Sequence, residues 1–275
     1  MPVKRALKPS EVSYYNFALL SHKGWVRAKN EDRLGAFQFF AADNAKIPVF
    51  LAVLCDGVGG YQYGEIAAEI GVDAVHKTIA ECESIQEPAK LLEKALISAN
   101  QHILQVYRDK PEMEGMASTC IAFLLIGRQL YLANLGDSRA YLLREGKLTQ
   151  LNYDHTWLED SLGMGLGNRV GITRDHPLAH VLSRHLGSSH PINVDLRIRA
   201  GEVKADGENA NQEMVLKKGD RLLLCSDGLT DMLNDREIVH LLDCDSPRKN
   251  AQKLVLSALE KGGHDNISVI VVHIP

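Results

Sequence analysis

Several apolar runs in this chain end abruptly at a carboxylate, and few folds can accommodate that. Val49 to Cys55 is an unbroken apolar stretch. It is far shorter than the ~20 residues of a membrane span and has no polar face, so it reads as a central strand buried on both sides. Asp56 and Gly57 follow at once, so a charge emerges from a buried strand into a tight turn. The pattern returns where Arg221 to Ser226 leads into Asp227 and Gly228, and Asp265-Asn266 stands just before the apolar stretch Ile267 to Val272. Asp137 lies between two further apolar strands. Any one of these has a plain reading, because Asp-Gly is common turn chemistry and Asp caps helices. Together, carboxylates at strand ends converge on one rim of the sheet core, where two unit charges ~4 Å apart repel by ~4 kcal/mol at an effective dielectric of 20. A positive partner is required. Oxygen ligands from Asp, backbone carbonyl and water suit Mg²⁺ or Mn²⁺ rather than zinc, and Gly57 lets the backbone approach such an ion closely.

The order of elements gives the fold class. Strand-like runs at 14–21, 34–40 and 48–55 precede two amphipathic helical stretches at 65–79 and 89–107. Strands with turns at Gly127-Arg128 and Glu145-Gly146 then fill 117–151 in the manner of a meander, and further strands are expected at 193–199 and 221–225. Helices at 235–242 and 246–261 and a last strand at 267–274 complete an α+β order in which helices cover sheets. Residues 1–13 carry Lys4, Arg5 and Lys8 without an apolar segment after them, which predicts an exposed tail rather than a secretory signal. Residues 14–275 read as a single domain. The glycines Gly163, Gly165, Gly167 and Gly171 suggest a flap over about 157–176, or simply a loose connection, turning helical after Pro177.

Composition excludes whole classes of partner. With 35 acidic against 31 basic residues the chain has a net charge of −4, so nucleic acid and anionic membranes are not expected partners. No run is long enough for a membrane span. The five cysteines contain no Cys-x-x-Cys, which argues against zinc knuckles and disulfide frameworks and for a reducing cytoplasm.

An ordered set of motifs resembles the metal-dependent protein serine/threonine phosphatases, the PPM or type 2C family, in its bacterial form. The set is Arg27 with Asn30-Glu31-Asp32, Asp56 to Gly60, Ala117-Ser118-Thr119, Asn134 to Arg139, Asp154-His155-Thr156, Val181 to Gly187, Ser226 to Asp231, and Asp265-Asn266. The resemblance implies a four-layer α-β-β-α sandwich, with two central antiparallel sheets flanked by helix pairs. It implies that Asp56 bridges two Mn²⁺ or Mg²⁺ ions, with the Gly57 carbonyl on one and Asp227 and Asp265 on the other. Glu31 and Asp32 support the second ion, directly or through water, and Asp137 helps hold a weaker third ion beside Asp227. Arg27 grips the substrate phosphate, a task suited to its planar fork of donors. The reaction implied is direct attack of a metal-bridging hydroxide on phosphoserine or phosphothreonine, on protein substrates of a bacterial Ser/Thr kinase.

Other readings are weighed against the same residues. No cysteine has an arginine six positions on, and no phosphate-binding glycine loop ends in Lys-Ser/Thr, so a cysteine-dependent phosphatase and a nucleotide-binding loop are both excluded. Some family members carry a histidine where this chain has Val58, which leaves the acid for the leaving group open; His155 is either that acid or a packing residue. Arg184 is a phosphate contact or a surface arginine, Arg139 pairs with a nearby acid, and Cys55 and Cys225 act as small apolar residues. The alternative function is a catalytically silent relative that binds phosphoproteins. A third reading keeps the chemistry and changes the substrate to an anti-sigma antagonist or a secretion-system component.

Overall fold

Each long apolar run becomes a strand whose two faces feed different cores. The computed structural model describes residues 5–42, 44, 47–58, 63–164, 173, 176–199, 212–244 and 246–275. A six-stranded sheet has the order β1 (Leu7–Pro9), β3 (Arg33–Ala41), β4 (Pro48–Cys55), β5 (Cys120–Ile126), β6 (Gln129–Leu135) and β9 (Met214–Val215). A five-stranded sheet has the order β2 (Asn16–His22), β11 (Ile267–His273), β10 (Arg221–Cys225), β7 (Arg139–Arg144) and β8 (Lys147–Gln150). Every pairing is antiparallel.

The period of two along a strand sorts side chains between layers. Phe50, Ala52 and Leu54 of β4 meet Leu222, Leu224, Ile270 and Val272 between the two sheets. Leu51, Val53 and Cys55 face the other way, against α1 (Gly64–Ala80) and α2 (Pro88–Asp109). In the second sheet Leu223, Cys225, Val269 and Val271 pack beneath α5 (Asp235–Leu242) and α6 (Pro247–Glu260). The result is the expected α-β-β-α sandwich. Of two short helices, α4 (Asp227–Thr230) buries Leu229 in the core beneath α5 and α6, and α3 (Trp157–Gly163) adds no residue to the three cores.

Four local expectations are corrected. Leu7–Pro9 is not exposed tail: it pairs with β3, and Leu7 is buried in the core. Residues 117–151 are not one meander, because β5 and β6 belong to the first sheet and β7 and β8 to the second, so the chain changes sheets at Gly136-Asp137-Ser138. Residues 193–199 form no strand; Asp195 alone bridges to Asn134, and its carboxylate accepts the Arg197 N–H at 3.0 Å, a local bond that competes with sheet pairing. The stretch after Pro177 is a series of turns tied down by bridges from Leu182 to Thr156 and from Leu186 to Ser118, not a helix. Within the expected flap, 157–163 is α3, while Gly165, Gly167 and Gly171 lie outside the described residues.

Candidate metal and phosphate site

Two strand-Asp-Gly corners, one from each sheet, meet at a single rim. Asp56 leaves β4 and Asp227 leaves β10, and each is followed by a glycine pressed against neighbouring backbone. A Cβ on Gly57 would lie 2.5 Å from the Gly64 carbonyl, and one on Gly228 would lie 2.1 Å from the Asn266 carbonyl. Glycine at both places is therefore a packing requirement of bringing the strand ends together.

Around these corners is a cavity of about 120 Å³ lined by Arg27, Glu31, Asp56, Gly57, Val58, Thr119, Asp137, His180, Leu182, Asp227 and Asp265. Seven of the eight residues expected from the motifs thus line one space. The eighth, Asp32, is buried: its Oδ2 accepts the Ser226 hydroxyl at 2.9 Å, and its Oδ1 has no hydrogen-bond partner among the described residues.

Neighbouring motifs position these groups. The Asp56 N–H donates to Thr119 Oγ1 at 3.0 Å, and the Asp56 carbonyl accepts from the Thr119 N–H at 2.8 Å and the Ser118 hydroxyl at 2.8 Å. Asn266 fastens the loop that carries Arg27 and Glu31. Its Oδ1 accepts the Glu31 N–H at 2.7 Å, while its Nδ2 donates to the carbonyls of Lys23 and Lys29, both at 2.9 Å. Gly24, at φ +76°, lets that loop press against the Asp265 carbonyl. Arg27 donates to the Asp265 carboxylate, so the arginine already lies against an acid of the cavity.

The electrostatics state what this site lacks. Burial and the repulsion of Asp32, Asp227, Asp137 and Asp265 hold the Asp56 carboxyl well above the usual carboxylate range. Asp227 is shifted in the same direction by burial and by Asp137, Asp231, Asp265 and Asp32. Burial pushes Asp32 up to about 6 against the pull of the Ser268 and Ser226 hydroxyls, and burial with the Asp154 charge pushes Asp137 up to about 6. Glu31 is raised by burial and by Glu65. Carboxylates that oppose one another's ionisation, an orphaned carboxylate oxygen and a set of hard oxygen donors fit divalent cations of the Mg²⁺ or Mn²⁺ type. Among the described residues no three acidic, His or Cys side chains enclose an ion unaided.

The remaining candidates separate clearly. His155 is buried, and its Nδ1 accepts the Gly136 N–H at 3.1 Å, so it is no acid facing substrate. Arg139 forms a two-point pair with Asp154 through Nε at 2.9 Å and Nη2 at 2.7 Å. Arg184 donates to the Asn193 carbonyl and does not line the cavity. Burial raises both thiols, Cys225 to about 12 and Cys55 likewise upward, as expected of apolar packing residues. Sequence reasoning missed the loop-fastening role of Asn266 and the lining residues His180 and Leu182. The last two lie on the turn-rich stretch mistaken for a helix.

A two-sheet sandwich that presents carboxylates from both sheets beside an arginine defines a class of site, one that can hold divalent cations next to a group that grips anions. Within that class the chain belongs to the protein phosphatase 2C family, whose model matches residues 27–256. It is 33% identical over 261 residues, 94% of this chain, to the serine/threonine protein phosphatase PstP of Mycobacterium tuberculosis, and spans 45% of that relative's length. It is 31% identical over 257 residues to the serine/threonine phosphatase stp of Listeria monocytogenes, covering 91% of this chain and 92% of that one. The PstP catalytic domain, solved in complex with two manganese ions, superposes with a TM-score of 0.74 at 30% identity, covering 94% of this chain and 97% of that one. PppA of Pseudomonas aeruginosa, described as a regulatory component of its type VI secretion system, superposes with a TM-score of 0.73 at 29% identity, covering 95% and 98%.

Proposed function

We propose that this chain hydrolyses phosphoserine and phosphothreonine on proteins, working in the cytoplasm against a bacterial Ser/Thr kinase. Two Mn²⁺ or Mg²⁺ ions serve the reaction, with a third held more weakly. The observation that carries this reading is the convergence of Asp56, Asp227, Asp265 and Asp137 on one cavity that Arg27 also lines. Asp56, the Gly57 carbonyl, Asp227 and Asp265 would hold the principal ions, with Glu31 and Asp32 in support and Asp137 toward the third. When bound, such cations ionise a water near neutral pH and stabilise the charge of an in-line displacement.

The chain's own residues do the rest. Arg27 moves its donor fork from Asp265 to the phosphoryl oxygens, exchanging one anion for another. Asn266 keeps that loop in place. Val58 lines the cavity and offers no proton, so the proton for the leaving alkoxide comes from water or from another group of the lining, which includes His180. The alternative of a silent phosphoprotein-binding module has no support, since Arg27 and all the expected carboxylates are retained and gathered at one rim.

The test is hydrolysis of p-nitrophenyl phosphate and a phosphothreonine peptide with Mn²⁺, with Mg²⁺ and with chelator. Activity is expected only with metal, with Asp227→Asn losing at least a thousandfold in kcat (~4 kcal/mol of barrier) and Arg27→Lys chiefly raising KM. Activity that survives complete chelation, or an Asp227→Asn variant as active as the parent, would sink the proposal.

A further inference from the structure

The crossing between the two sheets is bracketed by one buried histidine. Gly136, at φ +115°, turns the chain from β6 toward β7 and immediately precedes Asp137. The Gly136 N–H donates to His155 Nδ1 at 3.1 Å, and the His155 N–H donates to the Gly136 carbonyl at 3.0 Å. An amide N–H can only donate, so Nδ1 is an unprotonated acceptor and the ring proton sits on Nε2, which faces Asp195 Oδ2 at 3.4 Å. Hydrogen bonds from Arg197 and His155 hold the Asp195 carboxyl well below its usual range in spite of its burial. The ring is thus fixed in one tautomer and one orientation. Asp195 in turn exchanges backbone hydrogen bonds with Asn134 at 2.8 and 3.1 Å, and the Asn134 amide donates to the Gly136 carbonyl at 3.1 Å.

The same histidine reaches the other side of the cavity. Its carbonyl accepts the Ser183 N–H at 3.0 Å, within the stretch that carries the lining residues His180 and Leu182. Gly136 also packs on Thr119, where a Cβ would come within 2.6 Å, and Thr119 is the residue that caps the Asp56 amide. One buried ring therefore sits where three of the cavity's walls are joined.

We propose that His155 is a positioning residue for divalent-cation binding: its Nδ1 fixes the Leu135-Gly136 peptide, directly ahead of Asp137, and so holds the Asp137 carboxylate in the cavity it shares with Asp227. This rests on the reading that Asp137 helps hold the weakest ion. A side chain that keeps an acceptor at the Nδ1 position preserves the role, and one that keeps only a donor at the Nε2 position does not. Asn places its amide oxygen where Nδ1 stands; Gln extends to where Nε2 stands.

The experiment titrates Mn²⁺ into the metal-free full chain by calorimetry for the parent, His155→Asn, His155→Gln, Asp195→Ala and Asp137→Asn, with thermal unfolding of each. For His155→Gln we expect the weakest Mn²⁺ site to weaken at least tenfold while the tighter sites stay within threefold. His155→Asn should stay within threefold throughout. Asp195→Ala, which loosens the ring without removing it, should weaken the same site by a smaller factor, and it carries the test if His155→Gln does not fold. If Asp137→Asn loses the weakest ion while His155→Gln and Asp195→Ala bind like the parent, or if Asn and Gln behave alike, the positioning role is overturned. If Asp137→Asn keeps every ion, the ligand assignment fails, and the inference fails with it.

Discussion

Asn266 gives the sharpest test of how the loop that carries Arg27 is built. Replacing it by Asp changes neither shape nor volume but converts its two-hydrogen donor into an acceptor. The bond from the Glu31 N–H survives, whereas both bonds to the carbonyls of Lys23 and Lys29 are lost, and a carboxylate oxygen is left facing two carbonyl oxygens at about 2.9 Å. Each lost bond at a buried side chain costs about 1–1.5 kcal/mol, so the variant should lose roughly 2–3 kcal/mol before any charge repulsion. The added carboxylate also stands beside Asp265, which deepens the loss. At about 2–4 °C per kcal/mol, Tm should fall by roughly 4–12 °C. The loop carries Arg27, so KM for a phosphothreonine peptide should rise with a smaller change in kcat. Lowering the pH should recover part of the stability, because a protonated carboxyl can donate one of the missing bonds. Calorimetric unfolding at pH 7.5 and pH 5, with steady-state kinetics, reads all of this. An Asn266→Asp variant that melts within 1 °C of the parent and keeps its KM would refute the argument that this amide fastens the loop.

Two further outcomes follow from the same rim. Asp32 and Asp137 are pushed up to about 6, with Asp56 and Asp227 raised as well, so between about pH 4 and 6 the folded metal-free chain holds protons that the unfolded chain has released. Stability from these groups therefore falls as pH rises through that window, by roughly 3 kcal/mol for a carboxyl shifted as far as Asp32. The Tm increment on adding saturating Mn²⁺ to chelated protein should accordingly be larger at pH 7.5 than at pH 5, and an increment that shrinks toward pH 7.5 contradicts it. Gly24→Ala places a Cβ 2.2 Å from the Asp265 carbonyl at φ +76°, so at least 1–2 kcal/mol of stability should go, measured by urea unfolding, together with most of the activity. A fully active Gly24→Ala chain would show that the contact yields freely.

How far the sequence could be read depended on whether the signal was local. The apolar runs at 49–55 and 221–225 were legible because a strand buried on both faces has no polar period, and Asp56 and Asp227 stood out against them. Helix 235–242 matches its expected bounds, and the capping box of Asn234 and Glu237 is the local feature that sets its start. The three residues of β1 carry no period at all, and only pairing with β3 defines them. The sheet change at Gly136-Asp137 was hidden because a turn within a sheet and a turn between sheets use the same residues. Asn266 was visible only as a member of the Asp265-Asn266 motif, because its partners lie more than 230 positions away in the sequence. The side chain of Arg27 resting on Asp265 was equally invisible, being a contact between the two ends of the chain.

The place of β11 has a consequence for how the protein comes into being. This strand, late in the sequence, lies between β2 and β10 in its sheet, and Asp265 stands two residues before it. During synthesis β2 emerges early and has to wait, its inner edge unmatched, until residues 267–273 are released to fill the gap. No shorter nascent form has both a closed second sheet and a full complement of acids at the rim. Dephosphorylation should therefore begin only once this strand is in place.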